Sequence, residues 1–551
     1  MLKISMNKIR KYYGTRLILD IDEFKICESD RIGIVGINGA GKTTLLEIIS
    51  KQIDYDSGEL LLNSNTAIKY VPQLGEPNVK RISGKYASIF QVHNKWDSHM
   101  SGGEKTRFKL AEGFENSGNV LLVDEPTNNL DIDGIKLVID NFNTFNGALV
   151  VVSHDRYFLD SVCNKILEIE NSKCKVYDGN YSKYLKVKEM EIARQEIEYK
   201  EFVKEKSRLA NLKREMAEKS ARVRTTPSRM GNSEARLHKM GGQSNRAKLD
   251  RAAKSIEKRI EHLENRDKPI EQDVIKINIP PYARAHSKTL ISGENLSKAF
   301  GEKVLFDNAS FCINNGKKVA LLGPNGSGKT TLIKMILAEE NINISKNVRI
   351  GYFSQSMDVL DEKKTILENV MGESIHDEGF ARLILARLLI KGDKVNQKLK
   401  ILSGGEKVKV AFAKIILADI NFLILDEPTN YLDISSLEVI ENVLKNYDGT
   451  SLIVSHDIRF IENIADELLI IENKKITNFR GKYEDYLNRE DKEDLNINKR
   501  EVEEKIMVLD VQISSLISRI SIEESKEIKK GLEEEYKTKM KELASLKQKL
   551  R

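Results

Sequence analysis

Aliphatic runs of four or five residues punctuate this chain, and several end at a glycine or an acidic residue. Residues 32 to 35 and 319 to 322 are two of them; both read as buried strands, and each leads into a helical pattern of apolar positions, at 44 to 49 and 331 to 337. Two further aliphatic strands end in Asp124 and in Asp426. The start of the chain, Leu2-Lys3-Ile4-Ser5-Met6, alternates as a strand does.

The period changes in the middle of the chain. Leu185, Ile192 and Tyr199, then Phe202, Leu209 and Met216, step by sevens, while Leu249, Ala253, Ile256, Ile260 and Leu263 alternate fours and threes. Such seams pack against each other. Pro227, Gly231 and the pair Gly241-Gly242 predict breaks between them. An antiparallel helical hairpin follows, with a structured tip at about 225 to 242 and helices of roughly 26 to 43 residues that carry it on the order of 40 to 60 Å outward. A second hairpin is predicted beyond residue 488, on a seam of Val502, Ile506, Leu509, Ile513, Leu516 and Ile520 and, after a polar break, Ile528, Leu532, Tyr536, Met540, Leu543 and Leu550. No apolar run approaches the roughly 20 residues needed to cross a bilayer. The N-terminus lacks a signal peptide's apolar core.

The chemistry lies at the strand ends. Gly36-Ile37-Asn38-Gly39-Ala40-Gly41-Lys42-Thr43 and Gly323-Pro324-Asn325-Gly326-Ser327-Gly328-Lys329-Thr330 both fit G-x-x-x-x-G-K-[ST], each between a strand and a helix. Glycines let backbone N–H groups wrap phosphates, the lysine neutralises the outer phosphates, and the threonine hydroxyl binds Mg²⁺. A chance glycine-rich turn is the plain alternative, and two copies in matching context argue against it. Ser-Gly-Gly-Glu follows at 101 to 104 and 403 to 406, Asp-Glu-Pro at 124 to 126 and 426 to 428, and Ser-His-Asp at 153 to 155 and 455 to 457. Ser101, Asp124 and His154 recur 302 positions later as Ser403, Asp426 and His456, and the repeat extends to Gly179 and Gly481.

Together these motifs resemble the ATP-binding-cassette fold in both halves. The fold class expected is α/β: two tandem P-loop ATPase domains at 1–185 and 288–487, joined by a basic helical-hairpin linker at 186–287, with a C-terminal α-helical extension at 488–551. Asp124 and Asp426 end strands beside the phosphates, where carboxylates help hold Mg²⁺. Glu125 and Glu427 come next and are expected to position the attacking water or act as general base. The resemblance implies that His154 and His456 contact the γ-phosphate and that Gln73 and Gln355 sense metal and water. Magnesium would thus be served by Thr43, Gln73 and Asp124 in one half and by Thr330, Gln355 and Asp426 in the other. Tyr13 and Phe300 each lie 23 residues before the first loop glycine, the family's place for an aromatic on adenine. Thr44 and Thr331 complete the loops. Ser101, Gly102, Gly103 and Glu104 are implied to serve the opposite half's nucleotide, as are Ser403, Gly404, Gly405 and Glu406. Two ATP molecules would then be sandwiched, one between the first loop and Ser403 with Gly405, the other between the second loop and Ser101 with Gly103. The chain would be a monomer that closes on itself.

Charge separates functions within that fold. From 186 to 286 there are 25 Lys and Arg against 16 Asp and Glu, although the whole chain carries only +6. The excess falls between Lys219 and Arg259, with 12 basic residues against 3 acidic ones. A positive end on a neutral stalk suggests a polyanion at the tip, against the plain reading of a solvated spacer. Four scattered cysteines without a C-x-x-C pair argue against a disulfide framework, a zinc site or an iron–sulfur cluster and suit a reducing cytoplasm.

Glu-Pro-Thr-Asn-Asn-Leu-Asp (125 to 131), Glu-Pro-Thr-Asn-Tyr-Leu-Asp (427 to 433), Glu104, Glu406 and the charged hairpin resemble the F subfamily, which acts on ribosomes. The resemblance implies binding at the ribosomal exit site, with the hairpin reaching rRNA, the P-site tRNA and the peptidyl-transferase centre; no membrane or DNA partner is implied. Asn129, Tyr431 and Met100 depart from the usual residues without removing a catalytic group. The first cassette has 28 positions between Gln73 and Ser101, where the second has 48 between Gln355 and Ser403. That short cassette, the tip and the C-terminal extension look like the antibiotic-resistance branch, protecting against lincosamides, streptogramin A compounds and pleuromutilins. Arg224, Arg229, Met230, Arg236, Leu237, Lys239 and Met240 are the candidate tip contacts. A housekeeping translation factor and a transporter ATPase with separate membrane partners remain as alternatives. A DNA-repair or chromosome-structural ATPase would need a zinc site or far longer coiled coils. The C-terminal extension, with 15 basic and 15 acidic residues, is open between solubility or dimer contact and an rRNA contact.

Overall fold

The computed structural model describes residues 1–116, 118–223, 232–261, 263, 287–354, 357, 359–429 and 432–489, together with 509, 513, 532, 534–541 and 543. Side chains between 232 and 244 are not among them. Two compact units result: Met1–Asn78, Glu112–Pro126 and Phe142–Ile277 form one, while Val79–Ala111, Thr127–Asn141 and Asn278–Arg551 form the other. Two stretches of the first cassette are thus grouped with the second.

The first unit is built on a nine-stranded sheet. Ile68–Val71, Val120–Asp124, Ala148–Val152, Arg31–Gly36 and Lys165–Glu170 run parallel in that spatial order. Val120–Asp124 and Ala148–Val152 are buried at every position, which is why they read as unbroken aliphatic runs. Lys173–Asp178 turns back antiparallel to Lys165–Glu170, and Arg16–Cys27, Leu2–Tyr13 and Ser57–Leu62 extend the sheet. The N-terminal strand is longer than its first five residues suggested, running on through the exposed Lys8 and Arg10 to Tyr13.

The second unit repeats the plan. Ile350–Phe353, Phe422–Asp426, Thr450–Val454, Lys318–Leu322 and Glu467–Glu472 run parallel, with Lys475–Arg480 antiparallel at the edge. Lys303–Asn314, Thr289–Phe300 and Ile342–Ile344 form a separate three-stranded sheet. In both halves the loops that carry the motifs leave the carboxyl ends of parallel strands, where open α/β sheets bind ligands. The length difference between the halves is visible as helices: Gly84–Ile89 stands in the first cassette, against Ile366–Met371 and Glu378–Arg387 in the second.

The linker helices are Tyr181–Arg222, 42 residues, and Asn232–Glu261, 30 residues. Lys213 pairs with Glu257 at 2.5 Å and Ser220 donates to Asp250 at 2.6 Å, so the helices run antiparallel. Leu209 is buried in the seam, and the other apolar seam positions of the first helix are partly covered. One expectation fails. Gly241-Gly242 does not break the second helix, which runs from Asn232 through both glycines. A glycine costs a helix only about 1 kcal/mol relative to alanine, and thirty residues of favourable sequence absorb two. Arg236, Leu237, Lys239 and Met240 therefore stand on helix, although their side chains lie outside the described residues. Arg224, Arg229 and Met230 lie wholly outside them. In the C-terminal segment Leu509, Ile513 and Leu543 form a small core with Tyr536 against it; the rest of that predicted hairpin lies outside the described residues. Among the described residues no helix is long and apolar enough to cross a membrane.

Candidate functional site

The two phosphate loops have one backbone. Gly39 and Gly41 have φ of 79° and 99°, and Gly326 and Gly328 have 78° and 107°. A Cβ at Gly41 would also lie 2.8 Å from the side chain of Ile18. Glycine is therefore required twice over, by conformation and by space. The helices Lys42–Ile49 and Lys329–Leu337 start at the loop lysines, so their free N–H groups open onto the loop. Lys42 donates to the carbonyls of Gly36 and Ile37 at 2.8 and 3.2 Å, and Lys329 to those of Gly323 and Pro324 at 2.7 and 3.2 Å. Each ammonium is held along its own loop.

At the neighbouring strand end Thr43 Oγ1 donates to Asp124 Oδ2 at 2.8 Å, and Thr330 bonds Asp426 in the same way. Burial raises the pKa of both aspartates, partly offset in each by a hydroxyl bond and by the loop lysine. A hydroxyl and a carboxylate converging beside a cationic loop are hard oxygen donors that fit Mg²⁺ completed by phosphate oxygens. Gln73 is exposed in the bend after Ile68–Val71. Gln355 lies outside the described residues.

Glu125 and Glu427 have φ of 50° and 51°, the left-handed region, where a glutamate costs of order 1–3 kcal/mol. Their N–H groups are anchored at 2.9 Å on the carbonyls of Val152 and Val454, which fixes the bend. His154 Nε2 lies 3.4 Å from Glu125 Oε1, and His456 Nε2 lies 3.3 Å from Glu427 Oε1. Neither pair is aligned as a hydrogen bond, and Oε1 of each glutamate is a buried acceptor without a donor. Burial pushes Glu125 and Glu427 up to about 8, and burial with the nearby Lys329 pushes His456 down to about 4. Near neutral pH the second pair is a protonated acid beside a neutral imidazole. An orphaned oxygen on a buried carboxyl, next to a histidine and on a strained backbone, is an arrangement suited to holding a water molecule.

Ser101 and Ser403 start the helices Gly102–Glu115 and Gly404–Leu417. Ser101 Oγ and N both donate to Glu104, at 2.7 and 2.8 Å, and Ser403 does the same to Glu406 at 3.0 Å twice. The glutamates are thus the N3 partners of capping boxes, which keeps the following glycine N–H groups pointing outward. Lys394 pairs with Glu406. Within the second unit the signature of the first cassette meets the second phosphate loop: a Cβ on Gly103 would lie 3.8 Å from the side-chain amide of Asn325. Asn325 N donates to Asp131 Oδ2 at 2.9 Å, and its side chain donates to Asn129 O at 3.2 Å. Burial pushes the Asp131 carboxyl upward, but the N–H groups of Asn325 and Gly134 outweigh it and hold it below its ordinary value. The motifs did not single out Asp131, although its place at the end of the Glu-Pro-Thr-Asn-Asn-Leu-Asp run was a usable signal. Tyr13 and Phe300 are 50% and 60% exposed, so neither ring is core.

A family model described as ABC transporter matches residues 19–99 and 306–430, and a second with that description matches 167–279. The chain is 34% identical over 460 residues to the ribosome protection protein VmlR of Bacillus subtilis (strain 168), covering 82% of this chain and 83% of that protein. It is 33% identical over 475 residues to the erythromycin resistance ATP-binding protein MsrA of Staphylococcus epidermidis, covering 84% and 96%. To ABC transporter F family member 5 of Arabidopsis thaliana it is 28% identical, over 88% of this chain and 77% of that protein. The chain belongs to the F family of ATP-binding-cassette proteins. As an F-family chain it is an ATPase. Two solved structures share its fold at about 20% identity: an archaeal ribosome recycling factor, aABCE1, in complex with the stalk protein aP1, with a TM-score of 0.57 over 86% of this chain and 90% of that one, and RNase-L Inhibitor, with 0.58 over 88% and 92%.

Proposed function

We propose that this F-family ATPase is a cytoplasmic ribosome-protection protein. In its closed form, with two ATP molecules bound, it enters the ribosomal exit site and directs the hairpin tip at the P-site tRNA and peptidyl-transferase centre. Lincosamide, streptogramin A and pleuromutilin drugs leave as the tRNA and nearby rRNA move. Hydrolysis then opens the chain and releases it. The observation that supports this reading best is the basic helical hairpin set between two complete cassettes, in a chain similar to proteins named for ribosome protection and drug resistance.

The site residues divide the work as follows. Lys42 and Lys329 bind the outer phosphates, and Tyr13 and Phe300 stack on adenine. Thr43 with Asp124, and Thr330 with Asp426, would hold Mg²⁺, with Gln73 and Gln355 beside them; when bound, the ion neutralises charge on the phosphate oxygens. Glu125 and Glu427 orient the attacking water through their unpaired oxygens, and His154 and His456 contact the γ-phosphate. Ser101 to Gly103 serve the second loop's nucleotide, and Ser403 to Gly405 the first loop's.

The deciding experiment is ribosome sedimentation of the double variant Glu125→Gln, Glu427→Gln with ATP. It is expected to pellet with ribosomes, and a peptidyl-transferase drug is expected to change that association. A double variant that binds ATP yet sediments free of ribosomes rejects the reading. Deletion separates resistance from housekeeping: loss of drug tolerance with unchanged growth marks the former, slowed translation without a drug phenotype the latter. The drug panel should include erythromycin, which the name of one relative carries.

A further inference from the structure

The base of the hairpin is fastened to the first cassette by a cluster of polar side chains that the ATPase chemistry does not use. Glu168, 9% exposed, accepts Tyr184 Oη at 2.7 Å, Lys188 Nζ at 2.8 Å and Tyr177 Oη at 3.2 Å. Lys188 also reaches Glu170 at 2.7 Å. A second fastening lies one turn earlier, where Asp160 accepts both N and Oγ of Ser182 at 2.6 Å. Burying this many charged and phenolic groups is costly unless all are paired, so the cluster holds one geometry or fails.

Both fastenings are attached directly to the first nucleotide site. Glu168 and Glu170 flank Ile169 on a strand paired with Arg31–Gly36, and Gly36 is in register with Ile169. Gly36 opens the phosphate loop, and a Cβ there would lie 2.6 Å from the Ile169 carbonyl oxygen. No slack separates the loop from the strand. Asp160 belongs to the helix Arg156–Val162, which is capped by Asp155, the residue after His154.

The duplication supplies an internal control. The second cassette carries different residues at the corresponding positions, and they cannot make the same joint. Ile470 stands for Glu168, and Phe479 for Tyr177. Glu462 and Glu484 replace Asp160 and Ser182, and they repel: burial first, then Glu484, raises the Glu462 pKa. The phenol corresponding to Tyr184 keeps a bond, from Tyr486 to Glu472 at 3.2 Å, and the counterpart of Lys188, at position 490, lies outside the described residues. A fold-level need would have kept the cluster in both halves.

We propose that Glu168 and Asp160 are positioning residues that couple the first nucleotide site to the hairpin, passing displacements of the phosphate-loop strand and of the histidine-bearing segment to the first turns of Tyr181–Arg222. The proposal relies on the ribosome reading only for its physiological meaning, because the joint can be tested without ribosomes. Spin labels introduced as unnatural amino acids at the exposed positions Leu61 and Ile197 of the full chain, in the Glu125→Gln, Glu427→Gln background, report the cassette-to-arm distance by pulsed electron paramagnetic resonance. The parent is expected to show a mean distance that changes when ATP is added. Glu168→Ile, which installs the second half's residue, and Ser182→Glu are each expected to reduce that change by at least half while ATP affinity stays within about twofold. A part that merely stiffened the arm would widen the distribution and leave the ATP-dependent change intact. Glu168→Gln, nearly isosteric, gives a second variant should the isoleucine disturb folding, and it is expected to fall between. An unchanged ATP response in the variants, or no response in the parent, overturns the proposal.

Discussion

The Asp131 carboxylate accepts the backbone N–H of Asn325, the third residue of the second phosphate loop, at 2.9 Å. Two sequence segments 194 residues apart are thereby joined within one compact unit. A hydrogen bond to a charged group is worth about 1.5–3 kcal/mol. Asp131→Ala is therefore expected to lower kcat/KM for ATP by about tenfold or more, and Asp131→Asn, whose amide oxygen still accepts, to recover most of it. Steady-state ATPase assays decide. Equal activity in the alanine variant would remove this contact from the site.

The glutamates give a signature in pH. Glu125 and Glu427 sit near 8 in the folded chain against an ordinary 4.5, so the fold retains protons that the unfolded chain releases. Their contribution to stability is complete below about 4.5, declines as pH rises, and is gone above about 8. His456, lowered from 6.5 to about 4, acts oppositely and only below 6.5. Between 6.5 and 8 the glutamates act without it. Nucleotide-free protein is expected to lose a few degrees of Tm across that window, Glu427→Gln about half as much, and the double glutamine variant least. Scanning fluorimetry at stepped pH checks this. A decline of equal size in the double variant would mean that the two carboxyls are already ionised.

The tip can be separated from the motor. Arg229→Ala, Met230→Ala and Leu237→Ala combined are expected to abolish drug tolerance in cells while ATPase turnover stays within about twofold, since none of the three belongs to a nucleotide site. Growth inhibition curves with a pleuromutilin and a lincosamide provide the measurement. Tolerance equal to the parent's would move the effector elsewhere.

What could be read from the residues was local or periodic. The phosphate loops, the strands that end at Asp124 and Asp426, and the seam through Leu209 follow from spacing, because each depends on neighbours within a few turns. The left-handed backbone at Glu125 and Glu427 could not be read, since nothing in a Glu-Pro pair announces a positive φ; it is imposed by the carbonyls of Val152 and Val454 on an adjacent strand. The contact between Asp131 and Asn325 is non-local in the same sense. Gly241-Gly242 misled for the opposite reason: a local helix-breaking preference was real but small against a whole helix. The seven-residue step through Leu185 carries no sign of the joint at Glu168, because that carboxylate meets its partners only once strand and linker helix are folded together.

The left-handed backbone at the two acidic residues sets stability against turnover. Glycine would occupy either position without conformational penalty, so directed evolution of this chain for heat resistance alone should enrich Glu125→Gly and Glu427→Gly, each gaining about 1 kcal/mol. Such clones would be sturdier and catalytically dead, and a screen that never assayed hydrolysis would report them as improvements.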